Sequence, residues 1–217
     1  MDRSGLHELI KIKAGQVELE AALDLPKDPM GVVLFAHGSG SGRLSVRNNY
    51  VAGVLLDAGI GTLLFDLLTP EEAADRRNVF DIELLSRRML AATSWVSRHA
   101  ATKGVKIGYF GASTGAAAAL VASVATPERI EAIVSRGGRP DMAMDVLDRV
   151  KAPTLLIVGG DDDVVLGLNR EAFSRLKSEK ELKVVPGATH LFEEEGKMEI
   201  VGGLAKEWFV KHFTKAK

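Results

Sequence analysis

The 217-residue sequence has no cysteine, which excludes disulfides, thiolate metal sites and a cysteine nucleophile together. Nor does it carry a surplus of either charge, with 28 basic residues against 29 acidic ones. A nucleic-acid footprint would show a basic excess or a clustered basic stripe, so no nucleic-acid partner is expected. Long apolar runs are missing as well: no window approaches the roughly 18 residues of a membrane span, and no membrane partner is expected. The first ten residues carry Asp2, Arg3 and Glu8 without an apolar core of signal-peptide length, which points to a cytoplasmic location. The pattern contains no internal repeat, low-complexity tract or linker, and the length suits one domain over 1–217. What these absences leave open is a small-molecule partner.

What is present is an alternation of strand and helix signals. Leu6 to Lys13 and Gln16 to Leu25 alternate around Ala14-Gly15, which predicts an antiparallel hairpin at a sheet edge. Val32 to Ala36, Gly61 to Leu64, Ile107 to Phe110, Ile130 to Val134, Pro153 to Val158 and Leu182 to Val185 are short, mostly apolar runs of strand length, as in strands buried on both faces. Between them, Val46 to Ala58, Val79 to Ala101, Ala116 to Ala125, Met142 to Leu147, a stretch marked by Leu168, Ala172 and Leu176, and a C-terminal stretch through Val201, Leu204, Ala205, Trp208 and Phe209 read as helices. Thr69 to Asn78 is polar and charged and reads as a surface loop. The prediction is a mostly parallel sheet with helices on both faces. The longest loops are short for a lid, and the apolar face of the last helix offers itself for a dimer, so the chain is expected to be a monomer or a homodimer.

In such a sheet, ligands bind outside the carboxyl ends of the strands, and the unusual polar clusters fall there: His37 to Gly42, Asp66, Ser113, Arg136, Asp161 to Asp163 and His190. Gly111-Ala112-Ser113-Thr114-Gly115, between an apolar strand and an alanine-rich helix, is a G-x-S-x-G turn that holds a serine hydroxyl clear of the sheet. The plain alternative for Ser113 is a helix cap. A serine nucleophile needs a base, and the base needs a carboxylate. His190 alone among five histidines follows a late strand and lies downstream of an acidic loop. His99 and His212 sit near helix ends, where surface roles are expected, and His37 reads as a structural hydrogen bonder. Any of Asp161, Asp162 and Asp163 can serve as the carboxylate at this point. Their spacing lacks the D-x-D-x-D-G pattern of a calcium loop, so no metal is expected. Arg43 and Ser45 stand where a G-x-G-x-x-G needs glycine, and no Walker-type loop occurs, so no cofactor is expected.

These residues resemble the α/β-hydrolase superfamily and, within it, the small, lidless dienelactone-hydrolase-like group. The resemblance runs from Val32 to Phe213. It rests on His37-Gly38 after a strand, Gly111 to Gly115, Gly159-Gly160-Asp161-Asp162 after a strand, and Gly187-Ala188-Thr189-His190. It implies an α/β-hydrolase fold with no large cap domain. Because the family places its acid three residues after the first glycine at that strand end, it also implies Asp162 as the partner of His190. Dienelactone hydrolases proper use cysteine, whereas this chain has Ser113, which favours a carboxylesterase-like reaction. The expected chemistry is hydrolysis of a small ester or thioester by Ser113, His190 and Asp162, with the N–H groups of Thr114 and Ser39 holding the oxyanion. Acyl transfer or perhydrolysis would use the same residues, and a ligand-binding protein with a silent triad is the reading from another class. Arg136 and Arg43 are candidate binders of a substrate carboxylate or phosphate. Arg139 and Arg47 lie beside them, and pairing with Asp66, Asp141 or Glu71 is the alternative.

Overall fold

A computed structural model describes residues 5–214; residues 1–4 of the N-terminal stretch read above lie outside them. The chain runs β1 (Leu6–Ala14), β2 (Val17–Leu25), β3 (Val32–Ala36), α1 (Val46–Asp57), β4 (Gly61–Phe65), α2 (Pro70–Ala74), α3 (Arg76–Val79), α4 (Ile82–Arg98), β5 (Ile107–Ala112), α5 (Thr114–Ala125) and β6 (Ile130–Arg136). A 3-10 segment over Pro140–Arg149 then leads to β7 (Thr154–Gly159), α6 (Asp163–Arg175), β8 (Lys180–Val185) and α7 (Lys197–Thr214).

Among the described residues, eight strands form one sheet in the order β1-β2-β4-β3-β5-β6-β7-β8. The hairpin pairs in register from Leu6 opposite Leu25 to Ala14 opposite Val17, and β2 joins β4 antiparallel. Every pairing from β4 onward is parallel. The five strands from β3 to β7 are buried along their whole length, which is why they read as continuous apolar runs, while β1 alternates and exposes one face.

One face of the sheet packs on α4 and α5, through side chains such as Leu63, Tyr109, Met89 and Leu120. The other packs on α1 and α7, through Phe35, Phe110, Leu55 and Phe209. The apolar face of α7, considered above for a dimer, therefore lies against its own sheet, with Val201, Ala205, Trp208 and Phe209 all buried. The chain leaves β3 toward β4 and then returns to the opposite side of β3 with β5. That reversal opens a crevice above the carboxyl ends of β3 and β5, the place where such sheets bind ligands. Among the described residues no helix is long and apolar enough to cross a membrane.

Three local readings change. Thr69 to Asn78, expected as a loop, folds into α2 and α3. Thr69 accepts a hydrogen bond from the Glu72 N–H, Glu72 answers to the Thr69 N–H, and Pro70 opens the helix, a capping box that a polarity argument overlooks. The helix expected over Met142 to Leu147 is the longer 3-10 segment, kinked at Ala143. His212, expected at the surface, is buried edge-on against Trp208.

Candidate active site

Ser113 ends β5 and begins α5 with φ 50° and ψ −123°, a left-handed backbone that a residue with a side chain enters only under strain. The turn is sharp because its neighbours are glycines. A Cβ on Gly111 would lie 2.4 Å from Ala116 Cα, and one on Gly115 would lie 2.2 Å from the Ala36 carbonyl oxygen. Although Ser113 occupies the N-cap position, its hydroxyl makes no capping bond, so the capping alternative gives way.

Two further side chains meet beside this turn. Asp162, between β7 and α6, does not cap α6; its Oδ2 instead lies 2.7 Å from His190 Nδ1. A carboxylate only accepts, so Nδ1 carries the hydrogen and, in the neutral ring, Nε2 keeps its lone pair. Asp161 and Asp163 are exposed. The histidine is near the serine through β6: the Ser113 N–H donates to the Arg136 carbonyl at 3.3 Å, and a Cβ on the next residue, Gly137, would stand 3.6 Å from His190 Cε1. No hydrogen bond joins Ser113 Oγ to His190 among the described residues; unliganded sites often hold such pairs loosely.

A cavity of about 280 Å³ adjoins the turn at Thr114 and is lined besides by His37 to Ser41, Asp66, Leu67, Leu68, Ala73, Val79 and Leu85. Ser39 and Thr114 thus border one space, and neither N–H donates to a backbone carbonyl in the turn and loop network. The loop is held from below. His37 Nε2 accepts the Leu67 N–H at 2.9 Å, so Nδ1 is the protonated nitrogen and donates to the Gly38 carbonyl at 2.9 Å. Burial pushes the His37 pKa down, which keeps the ring neutral in that role. Asp66 Oδ1 accepts the Arg43 N–H at 2.7 Å. A larger cavity, about 1130 Å³ and lined by Lys106, Pro127, Pro153 and Lys177, opens far from these groups and contains none of them.

The arginines separate into two kinds. Arg43, named above as a substrate cation, has its charge met by Glu20 and Asp66. Arg139 grips both oxygens of Asp141 at 2.8 Å, and Arg47 pairs with Glu193 at 2.9 Å. Arg136 is different: 6% exposed, it has no carboxylate partner among the described residues, and its Nε is buried there without an acceptor. Burial first, and the nearby Arg47 charge second, pull its pKa down to about 10.

Sequence reasoning missed three supports of the site. Asn169 on α6 donates to the Gly138 carbonyl at 3.0 Å. Glu194 accepts both the N–H and the hydroxyl of Thr189, fixing the segment that carries His190. Phe192, fully buried at φ 56°, packs behind it. Of these only Glu194 left a trace in the sequence, as part of an acidic run that reads equally as a solvated loop. No group of three or more histidine or acidic side chains that could hold a metal ion occurs among the described residues.

The sheet order, the strained serine turn and the crevice above β3 and β5 define an α/β-hydrolase without a large cap. More narrowly, the chain belongs to the dienelactone hydrolase family, whose profile matches residues 20–210. A crystal structure of a dienelactone hydrolase from Anabaena variabilis is 50% identical and superposes with a TM-score of 0.93 over 96% of this chain and 98% of that one. Est1E from Butyrivibrio proteoclasticus shares the fold, with a TM-score of 0.82, 17% identity and 95% and 99% coverage. A Mycobacterium tuberculosis protein named as a phosphoribosyl transferase is 56% identical over 205 residues, 94% of this chain but 46% of its own length. The chain therefore spans about half the length of the curated relatives it matches.

Proposed function

We propose that the protein is a serine hydrolase that cleaves a small carboxylic ester or thioester through an acyl-enzyme on Ser113. Ser113 Oγ attacks the carbonyl carbon while His190 Nε2 takes its proton, and the oxyanion settles against the N–H groups of Ser39 and Thr114. His190 returns the proton to the departing alcohol or thiol. Water, activated by the same nitrogen, then releases the acid. Asp162 holds the imidazole in the tautomer this requires and balances the imidazolium that forms.

The observation that carries this reading is the pairing of a strained, uncapped Ser113 with a histidine whose tautomer is set by Asp162. Membership of a hydrolase family supports it. The transferase name of the M. tuberculosis relatives belongs to chains about twice as long and does not bear on it. The missing Ser113–His190 hydrogen bond favours a second reading, a ligand-binding protein on the same fold.

Labelling with a fluorophosphonate, read by intact mass, separates the two. A single adduct is expected on the wild type and none on Ser113→Ala, with labelling severely slowed in His190→Ala. A well-folded wild type that takes no label would overturn the hydrolase reading in favour of the second.

A further inference from the structure

Asp66 follows β4, and among the residues that line the cavity beside the serine turn it alone is acidic or basic in the ordinary sense, His37 being the neutral ring described above. That cavity adjoins the serine. Gly38 lines it, and a Cβ on Gly38 would stand 2.9 Å from Ser113 Cβ. Thr114, the next residue after the serine, lines it as well.

The fold leaves the Asp66 carboxylate with capacity to spare. Its Oδ1 accepts the Arg43 N–H at 2.7 Å, which suffices to hold the loop. The Arg43 guanidinium is shared: it bonds Glu20, and its Nε stays 3.7 Å from Asp66 Oδ2, beyond hydrogen-bond reach. One cation between two carboxylates leaves this cluster net negative. No described residue donates a hydrogen bond to Oδ2, and the side chain is 28% exposed, so an acceptor is available at the cavity's border.

The rest of the lining says what can use it. Leu67, Leu68, Val79 and Leu85 give apolar surface, and no cation lies among the lining residues to receive an anion. A carboxylate or phosphate entering here would meet a like charge and lose water without compensation. A hydroxyl or an ammonium group would instead give Asp66 a charge-assisted hydrogen bond. Pockets of this kind, apolar with one placed polar group, set orientation and specificity through that group.

We propose that Asp66 selects the acyl portion of the substrate: a short acid whose chain carries a hydrogen-bond donor, a hydroxyl or an ammonium group, that Asp66 Oδ2 accepts. The leucines limit the length of the chain and Asp66 decides what it bears. The inference deepens the hydrolase reading and rests on it for calling the occupant an acyl group, though not for the cavity's preference for a donor.

The test has two arms. In the first, kcat/KM is measured for methyl butyrate, methyl 3-hydroxybutyrate, methyl 3-aminobutyrate and monomethyl succinate, with wild type and Asp66→Asn. The wild type is expected to prefer at least one donor-bearing ester to methyl butyrate, the better of the two naming hydroxyl or ammonium, and to handle monomethyl succinate worst. Asparagine keeps an oxygen for the Arg43 N–H but has neither the charge nor the second acceptor. In Asp66→Asn the preference should therefore fall by about 10- to 100-fold, the range for a hydrogen bond to a charged group, and the succinate ester should recover. In the second arm, saturation-transfer NMR follows butyramide, 3-hydroxybutyramide and 3-aminobutyramide on the Ser113→Ala protein, alone and combined with Asp66→Asn. A donor preference that Asp66→Asn removes in either arm supports the proposal, and in the second arm it does so even if no ester is turned over, so failure of the hydrolase reading is told apart from failure of this one. Absence of that preference from both arms overturns it, and so does a preference that survives Asp66→Asn. Should the asparagine variants not fold, the Ser113→Ala series decides alone, equal response to the three amides overturning the proposal.

Discussion

At the scale of single residues, the site is built from groups held where they are not most stable. Ser113 keeps a side chain at φ 50°, a conformation that costs a non-glycine residue about 1–3 kcal/mol. Ser113→Gly should relieve that strain, raising the unfolding free energy by about 1 kcal/mol in chemical denaturation while abolishing fluorophosphonate labelling; a destabilised glycine variant would show the backbone to be unstrained. His37 is held neutral in a buried loop, its folded pKa below the 6.5 of a free imidazole. The folded state therefore binds fewer protons than the unfolded one once the pH drops below that value. The stabilising contribution is complete above pH 6.5 and is lost as the pH falls through the lowered folded-state pKa. Melting curves between pH 7 and pH 5 should show stability falling with acidity, and in His37→Gln that slope should shrink by about one proton. An identical slope in the variant would remove His37 as its source.

At the scale of elements, β5, the turn and α5 form one rigid part. The helix is alanine-rich and buried through Leu120 because it lies between α4 and the 3-10 segment, where larger side chains would push it off the sheet. Its first turn touches β3: a Cβ at position 115 would meet the Ala36 oxygen at 2.2 Å and the His37 oxygen at 2.5 Å. Both are backbone atoms, which cannot rotate aside. Gly115→Ala should therefore destabilise by about 3 kcal/mol or more, measured by chemical denaturation, and should slow labelling because the Thr114 N–H moves with the turn. These elements were legible because periodicity and glycine placement act locally: Gly111, Ser113 and Gly115 announce the turn, and the buried strands announce themselves by unbroken apolar runs. Other elements were not. Thr69 to Asn78 hid two short helices because their stability comes from a cap and from Arg88, which reaches Glu72 and the Ala14 carbonyl, contacts 16 and 74 residues away in sequence. The environment of His212 depends on Trp208 and on how α7 is packed, which local pattern does not report.

At the scale of the whole molecule, sheet order brings together groups that are far apart in the chain. Ser39, Thr114 and Ala73 border one cavity because β3 lies between β4 and β5, and the fate of each arginine was decided by which acid the fold delivered to it. The sequence offered four arginines with the same credentials; the fold supplied acidic partners to Arg43, Arg47 and Arg139 and, among the described residues, none to Arg136. If the proposed hydrolase reading holds, the cavity has a comparable consequence for the acyl part of a substrate. At about 280 Å³, bordered by Leu67, Leu68, Val79 and Leu85 and by the exposed Ala73 of α2, it suits a short apolar chain. Turnover of 4-nitrophenyl esters should then be best for acetate to butyrate and fall steeply for longer acids. Ala73→Leu adds a branched side chain to the cavity's border, on a helix anchored through Glu72 to Arg88 and so unable to retreat freely. It should lower kcat/KM for butyrate by about 10-fold, within the 1–3 kcal/mol that pocket size commonly contributes to discrimination, and affect acetate much less. Equal losses for both esters would place the acyl chain elsewhere.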